Sequence, residues 1–159
     1  MRANSKRRGA LAAGLLALVA LLSGCHDARV YDRFEPVSDD GWGRNDTVRF
    51  AVPRQKQGSY AVNLGLRFNH RYPYREVSLI VSYEWLPSRR TATDTVQLRL
   101  LNDKGKPTGR VGITSASVAT RLRELSLHEG DSLYVTVHHN MRRDQLAGIN
   151  DVGFQLVKE

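Results

Sequence analysis

From about residue 46 onward, apolar and polar residues alternate in short bursts. Tyr60, Val62, Leu64, Leu66 and Phe68 fall on one side of an extended chain. Val77, Leu79, Val81, Tyr83 and Trp85 do the same, as do Val96, Leu98 and Leu100, and Leu133, Val135 and Val137. A period of two belongs to a half-buried strand. The pattern predicts strands over 47–52, 60–68, 77–85, 94–101, 133–139 and 152–157. Turn-forming residues punctuate them: Asn102-Asp103-Lys104-Gly105-Lys106-Pro107, then Glu129-Gly130-Asp131, while Pro53 and Pro87 close the strands before them. Only Val118–Leu125, apolar at 118, 119, 122 and 125, suggests a short helix. The expected fold is all-β, an antiparallel sandwich of two sheets and about seven or eight strands, burying shared apolar faces.

The first 25 residues follow a different grammar. Arg2, Lys6, Arg7 and Arg8 precede an apolar run from Gly9 to Leu22, too short for a comfortable membrane span and right for a signal peptide. The run ends in Leu22-Ser23-Gly24-Cys25, which looks like a bacterial lipobox: a large aliphatic residue, two small ones, then the cysteine that takes the lipid. Cys25 is the sole cysteine, so no intramolecular disulfide or cysteine-based zinc cluster can form. His26 stands where an aspartate would retain a lipoprotein in the inner membrane, which favours the outer membrane. The expected organisation is a signal peptide over 1–24, acylated Cys25 with a polar tether over 25–45 (Tyr31, Phe34 and Trp42 being its docking points), and a β-domain over 46–159.

Composition fits one exported domain. The chain has 159 residues, 41% apolar and 25% charged, a globular balance that excludes a disordered chain or a multi-span membrane protein. Its net charge of +8 suggests nucleic acid at first sight, yet four of the 24 bases lie in the signal peptide. The remaining bases are scattered as pairs such as Arg89-Arg90 and Arg142-Arg143, so no nucleic-acid partner is expected.

Catalytic patterns are missing from the sequence: neither a Gly-x-Ser-x-Gly elbow nor a His-Glu-x-x-His pair occurs. His138 and His139 are adjacent on a predicted strand and point to opposite faces. Glu76 and Glu84 share a face but lie about 26 Å apart, too far for a glycosidase pair. No enzyme activity, cofactor, catalytic residue or metal ligand is expected. Two segments stand out instead. Tyr72-Pro73-Tyr74 places a φ-locked residue between two strands. The segment from Met141-Arg142 to Gly148-Ile149-Asn150-Asp151-Val152-Gly153 sets glycines where the chain must bend before its last strand.

These segments, in this order behind a lipobox, resemble the gliding motility lipoprotein GldH family. Arg67 leads to Tyr72-Pro73-Tyr74, Asp94-Thr95 leads to Leu101-Asn102-Asp103-Lys104-Gly105, and Met141-Arg142 leads to Gly148–Gly153. The chain departs from the family pattern at Glu76, Pro107, Gly109, Val111 and Ala147. The resemblance implies a lipid-anchored envelope protein that serves gliding motility and its associated secretion machinery by binding other proteins. The expected partner surface comprises Tyr72, Pro73, Tyr74, Met141, Arg142, Gly148 and Asp151, with Tyr72, Tyr74 and 141–150 more exposed than packing requires. A carbohydrate- or surface-binding lipoprotein is the alternative. It requires an exposed aromatic platform such as Trp42, Tyr83 and Trp85, two of which fall in the apolar phase. Thr47, Thr95 and Ser132, each after an Asp and before an aliphatic residue, resemble O-glycosylation acceptors; the same triplets also suit strand starts.

The lipobox yields a direct expectation. Intact mass of protein extracted from membranes should begin at Cys25 and carry lipid, and an unlipidated mature form that retains residues 1–24 would contradict it.

Overall fold

The computed structural model describes residues 28–159, so the expected signal peptide over 1–24 and Cys25 lie outside the described residues. The chain forms Arg29–Pro36 (β1), Trp42–Gly43 (β2), Val48–Val52 (β3), Gly58–Phe68 (β4), Glu76–Leu86 (β5), Thr91–Arg99 (β6), Arg110–Val111 (β7), Ala116–Leu127 (β8), Ser132–His139 (β9), Gln145–Leu146 (β10) and Ile149–Lys158 (β11). Three are two-residue pieces, so eight longer strands carry the architecture. One sheet runs β1-β11-β4-β8-β7 and the other β3-β9-β5-β6, with β10-β2 a small ribbon beside them. All pairings are antiparallel. Apart from the β5–β6 hairpin, each long strand connects to the next by crossing to the other sheet. With this strand order, that connectivity is the jelly roll.

The core lies between the sheets. Val62, Leu64, Val77, Leu79, Val81, Val135, Val137, Phe154 and Leu156 are all fully enclosed. Phe154 on β11 stacks on Phe50 of β3 at 5.6 Å and takes the edge of Tyr31 from β1 at 6.1 Å. One ring thus ties three strands from both sheets.

Two expectations fail for identifiable reasons. The segment read as tether contains β1 and β2, so the domain begins at residue 29. As an edge strand, β1 is mostly exposed, which hides its alternation. Tyr31 points inward, while Phe34 lies on the outer face, over Gly65 and Gly153. A Cβ on Gly153 would sit 2.5 Å from the Phe34 ring, so glycine is what lets the ring lie flat on the sheet. The helix expected over Val118–Leu125 is part of β8. Its register slips where Val62 faces Arg123 and Asn63 faces Arg121, leaving Leu122 as the extra residue of a bulge. Inward positions are therefore even before the bulge (Ala116, Val118) and odd after it (Leu125, Leu127). That one-residue phase change imitates helical spacing.

The connectivity gives the sandwich two different poles. Ala28 enters beside Lys158, whose amide donates to the Ala28 carbonyl at 2.8 Å. The loops 53–57, 87–90 and 128–131 share this entry pole, joined where the Gln55 amide donates to the Asp131 carbonyl at 2.8 Å. The longer loops 37–47, 69–75, 100–115 and 140–148 gather at the opposite pole. Along β4 the two poles are separated by about 36 Å.

Candidate functional site: the far-pole loops

The two segments singled out from the sequence meet at the far pole. Asn69 leaves β4 and turns the chain: its side-chain oxygen accepts from the Arg71 amide at 2.9 Å and its carbonyl from the Tyr72 amide at 3.1 Å. The same residue reaches across. Its backbone amide donates to the Gly148 carbonyl at 2.8 Å, and its side-chain amide donates to the Asn150 side-chain oxygen at 3.1 Å. Gly148 has φ +83, and a Cβ there would come within 2.2 Å of the Tyr72 nitrogen. Only glycine permits both the left-handed turn and the contact. The 37–47 loop joins through the Val37 amide to the Asn150 carbonyl at 3.0 Å and the Arg71 guanidinium to the Asp39 carbonyl at 2.6 Å.

Burial sorts the expected surface residues. Tyr72 is only 4% exposed, contrary to the expectation that it stands out from the packing. Its ring meets Phe68 and Tyr74 edge-on at 6.3 and 5.7 Å, and its hydroxyl donates to the Glu76 carbonyl at 2.8 Å. Burial, then the neighbouring Tyr74, raise its pKa, so it remains a donor. Tyr74 is half-buried, and its hydroxyl accepts from Arg143 at 3.2 Å. Pro73 and Arg142 are exposed, whereas Gly148 is buried. Asp151 pairs with Arg67 at 3.8 Å, and the Arg67 guanidinium lies 4.0 Å over the Phe34 ring. Arg67, Asp151 and Gly153 thus form one cluster on the outer sheet face.

Met141 anchors the other side. Arg44 donates to its carbonyl, and its sulfur accepts from the Ser78 amide at 3.4 Å. Its own amide donates to His139 Nδ1 at 3.3 Å. That bond requires a lone pair on Nδ1, so the proton sits on Nε2, which donates to the Trp42 carbonyl at 3.1 Å. The Trp42 ring packs edge-on to the imidazole at 5.4 Å. Burial lowers the His139 pKa below its ordinary value of 6.5, the Trp42 carbonyl opposing that shift and Arg44 adding to it.

Sequence reasoning missed a further part of this pole. Phe68, Tyr72 and Ala116 floor a groove of about 340 Å³, walled by Leu101, Pro107 and the loop through Ile113. Val111 is 70% exposed and Ile113 fully so. With Val30 at the other pole, they are the exposed large apolar residues among the described residues. The available signal was two β-branched residues flanking Gly112 in an otherwise polar run from 108 to 115. A polar cleft adjoins the groove through His70 and Thr114 and is lined by Asp39, Arg67, Arg71 and Asn150. The pole offers apolar contact beside guanidinium donors. Among the described residues no group of three or more His, Cys, Asp or Glu side chains gathers to hold a metal.

The aromatic platform of the alternative reading is absent from the described surface: Trp42, Tyr83 and Trp85 are 1%, 1% and 3% exposed. Thr95 is exposed on β6, while Thr47 and Ser132 are half-buried. The aspartates before the latter two close turns, Asp46 accepting from the Gly43 amide at 3.2 Å and Asp131 from the His128 amide at 3.0 Å.

A family model described as GldH lipoprotein matches residues 29–156. The gliding motility lipoprotein GldH of Flavobacterium johnsoniae is 29% identical over 152 residues, covering 90% of this chain and 94% of that one. A gliding motility lipoprotein GldH homolog of Christiangramia forsetii is 25% identical over 149 residues, covering 88% and 90%. Among solved structures, a family GH115 4-O-methyl-α-glucuronidase shares 14% identity at TM-score 0.45, covering 82% of this chain but 18% of that one. A likeness that slight carries no argument about activity.

The His139 geometry gives a pH dependence. Its folded pKa lies below its unfolded value, so the fold favours the neutral ring. That contribution is complete above about pH 6.5 and is lost as pH falls through the folded pKa. The urea midpoint of the wild-type protein should fall between pH 7 and 5. His139→Gln should flatten that slope, and an unchanged slope would refute the role.

Proposed function

The chain belongs to the GldH lipoprotein family, and we propose that it serves gliding motility by holding another envelope protein at its far pole. At the coarser level it is a membrane-anchored lipoprotein of the cell envelope. We further propose that Cys25 bears the lipid, that the outer membrane is the site, and that the bound protein belongs to the motility and associated secretion machinery.

One observation carries the binding reading. Among the described residues, two of the three exposed large apolar side chains, Val111 and Ile113, stand together beside an apolar groove, at the pole where the family's distinctive segments converge. Apolar side chains held in water on an ordered loop contribute little to the fold and much to a complex. The exposed members of the expected surface, Pro73, Arg142 and part of Tyr74, border the same pole. Tyr72 and Gly148 support the surface from below by setting the loop geometry. Thr95, the exposed hydroxyl of the three Asp-Ser/Thr triplets, is the one we propose for glycosylation.

The double substitution Val111→Asp and Ile113→Asp should leave the thermal midpoint nearly unchanged, because both residues are solvated. Loss of the buried apolar contact should weaken partner binding by about tenfold to a hundredfold. In a gliding host the variant should reach the membrane at normal levels and fail to support colony spreading. Normal spreading at normal levels would reject the far pole as the working surface.

A further inference from the structure

We propose that the entry pole is a second interaction surface, which rests on anionic phospholipid headgroups through Arg54, Lys56, Arg90 and Lys158. The inference depends on the acylation of Cys25. Three residue steps separate that cysteine from Ala28, and even a fully extended chain spans at most about 11 Å over three residues. The headgroup layer itself is roughly 5–8 Å thick on each side. Ala28 is fixed to the domain by the Lys158 amide. A lipid-anchored Cys25 therefore keeps the entry pole within reach of the headgroups while leaving the domain free to tilt, so that side-chain charge decides whether this pole rests on them.

The side chains at this pole suit that position. Its acids among the described residues are engaged within the protein. Asp131 is buried in its turn, Glu129 accepts from the Gln57 amide at 3.0 Å, and Glu159 pairs with Arg121 at 2.6 Å. Glu84, one row inward, pairs with Arg89 at 2.6 Å. By contrast Arg54, Lys56, Arg90 and Lys158 form no salt bridge among the described residues. Arg90 is held in place by stacking 4.4 Å over the Trp85 ring. Four exposed cations, with few described acids free to oppose them, lie at the pole that the short link holds near the leaflet. Each cation near an anionic leaflet strengthens the contact roughly fivefold.

Charge alone does not select this pole, since Lys104, Lys106, Arg142 and Arg143 make the far pole basic too. The short link selects it. With the entry pole on the headgroups, the Val111–Ile113 groove stands about 36 Å above them, turned toward whatever lies across the compartment.

Acylation blocks Cys25, so an introduced cysteine becomes the single free thiol for a spin label. Mature acylated protein with Ser88→Cys (entry pole) or Lys104→Cys (far pole) can be reconstituted into phosphatidylcholine vesicles with or without phosphatidylglycerol. Collisional relaxation by a water-soluble nickel chelate then reads each label's exposure. The label at residue 88 should be several-fold better shielded than that at 104 on anionic vesicles. Adding Arg54→Glu and Lys56→Glu, or raising the salt, should remove the shielding while the protein still floats with the vesicles. Equal exposure of the two labels on anionic vesicles, or shielding at 88 indifferent to lipid charge, would overturn the proposal. Protein that fails to float at all would instead overturn the acylation on which it rests.

Discussion

The pairing of the last strand, β11, between β1 and β4 is the constraint from which the rest of the structure follows. Its inward residues Val152, Phe154 and Leu156 are fully buried, so its phase cannot slip without turning that row to solvent. Holding β1 on one side closes the first sheet with the chain's entrance beside Lys158. Holding β4 on the other brings Gly148 against the Tyr72 backbone, and the β1 pairing lays Phe34 over Gly153. The glycines of the late segment are thus contact points of one strand with its neighbours. This accounts for a Tyr-Pro-Tyr loop and a Gly-Ile-x-Asp-Val-Gly segment belonging together although about 75 residues separate them.

The same closure produces the two poles, and the poles organise the functional reading. The described chain enters at one end, where the connecting loops are short and Arg54, Lys56, Arg90 and Lys158 form no salt bridge among the described residues. Elaborated loops, the groove and the polar cleft occupy the other. A jelly roll is a rigid spacer in this arrangement. Its core fixes the separation of the two surfaces for which we propose contact with lipid and with protein. Neutral His139, joined to both Trp42 and Met141, secures the far-pole loops to the end of β9 by bonds that neither an apolar residue nor a charged one could make.

Legibility in the sequence followed burial. Strands with one fully buried face, β4, β5 and β9, announced themselves by alternation, and β3, β6 and β11 by shorter versions of it. β1 did not, because its aromatic residues divide between the inner face (Tyr31) and the outer (Phe34). β8 misled because the bulge at Leu122 shifts its phase by one. At the site, the unusual composition of 72–74 and 141–153 was visible, but their mutual contact was not, since it depends on the β4–β11 register. Exposure was the least readable quantity. Tyr72 looked like a presented ring and is a buried one, while Val111, marked only as a departure from the family pattern, and Ile113 are among the described apolar side chains left in water. Periodicity reports the phase of a strand. It is silent about a loop, where the fold alone decides which residues find a neighbour.

The most direct test of the central claim, that β11 locks the far-pole loops into one unit, is amide hydrogen exchange in Gly148→Ala. A Cβ at this position meets the Tyr72 backbone and must adopt positive φ. That strain amounts to about 1–3 kcal/mol, or roughly tenfold to a hundredfold in local opening. The account predicts that the amides of Val37, Asn69 and Tyr72, from two different loops, lose protection together, while those of Leu64, Val81 and Phe154 keep theirs. Faster exchange confined to residues 147–149, or spread evenly through the core, would contradict it.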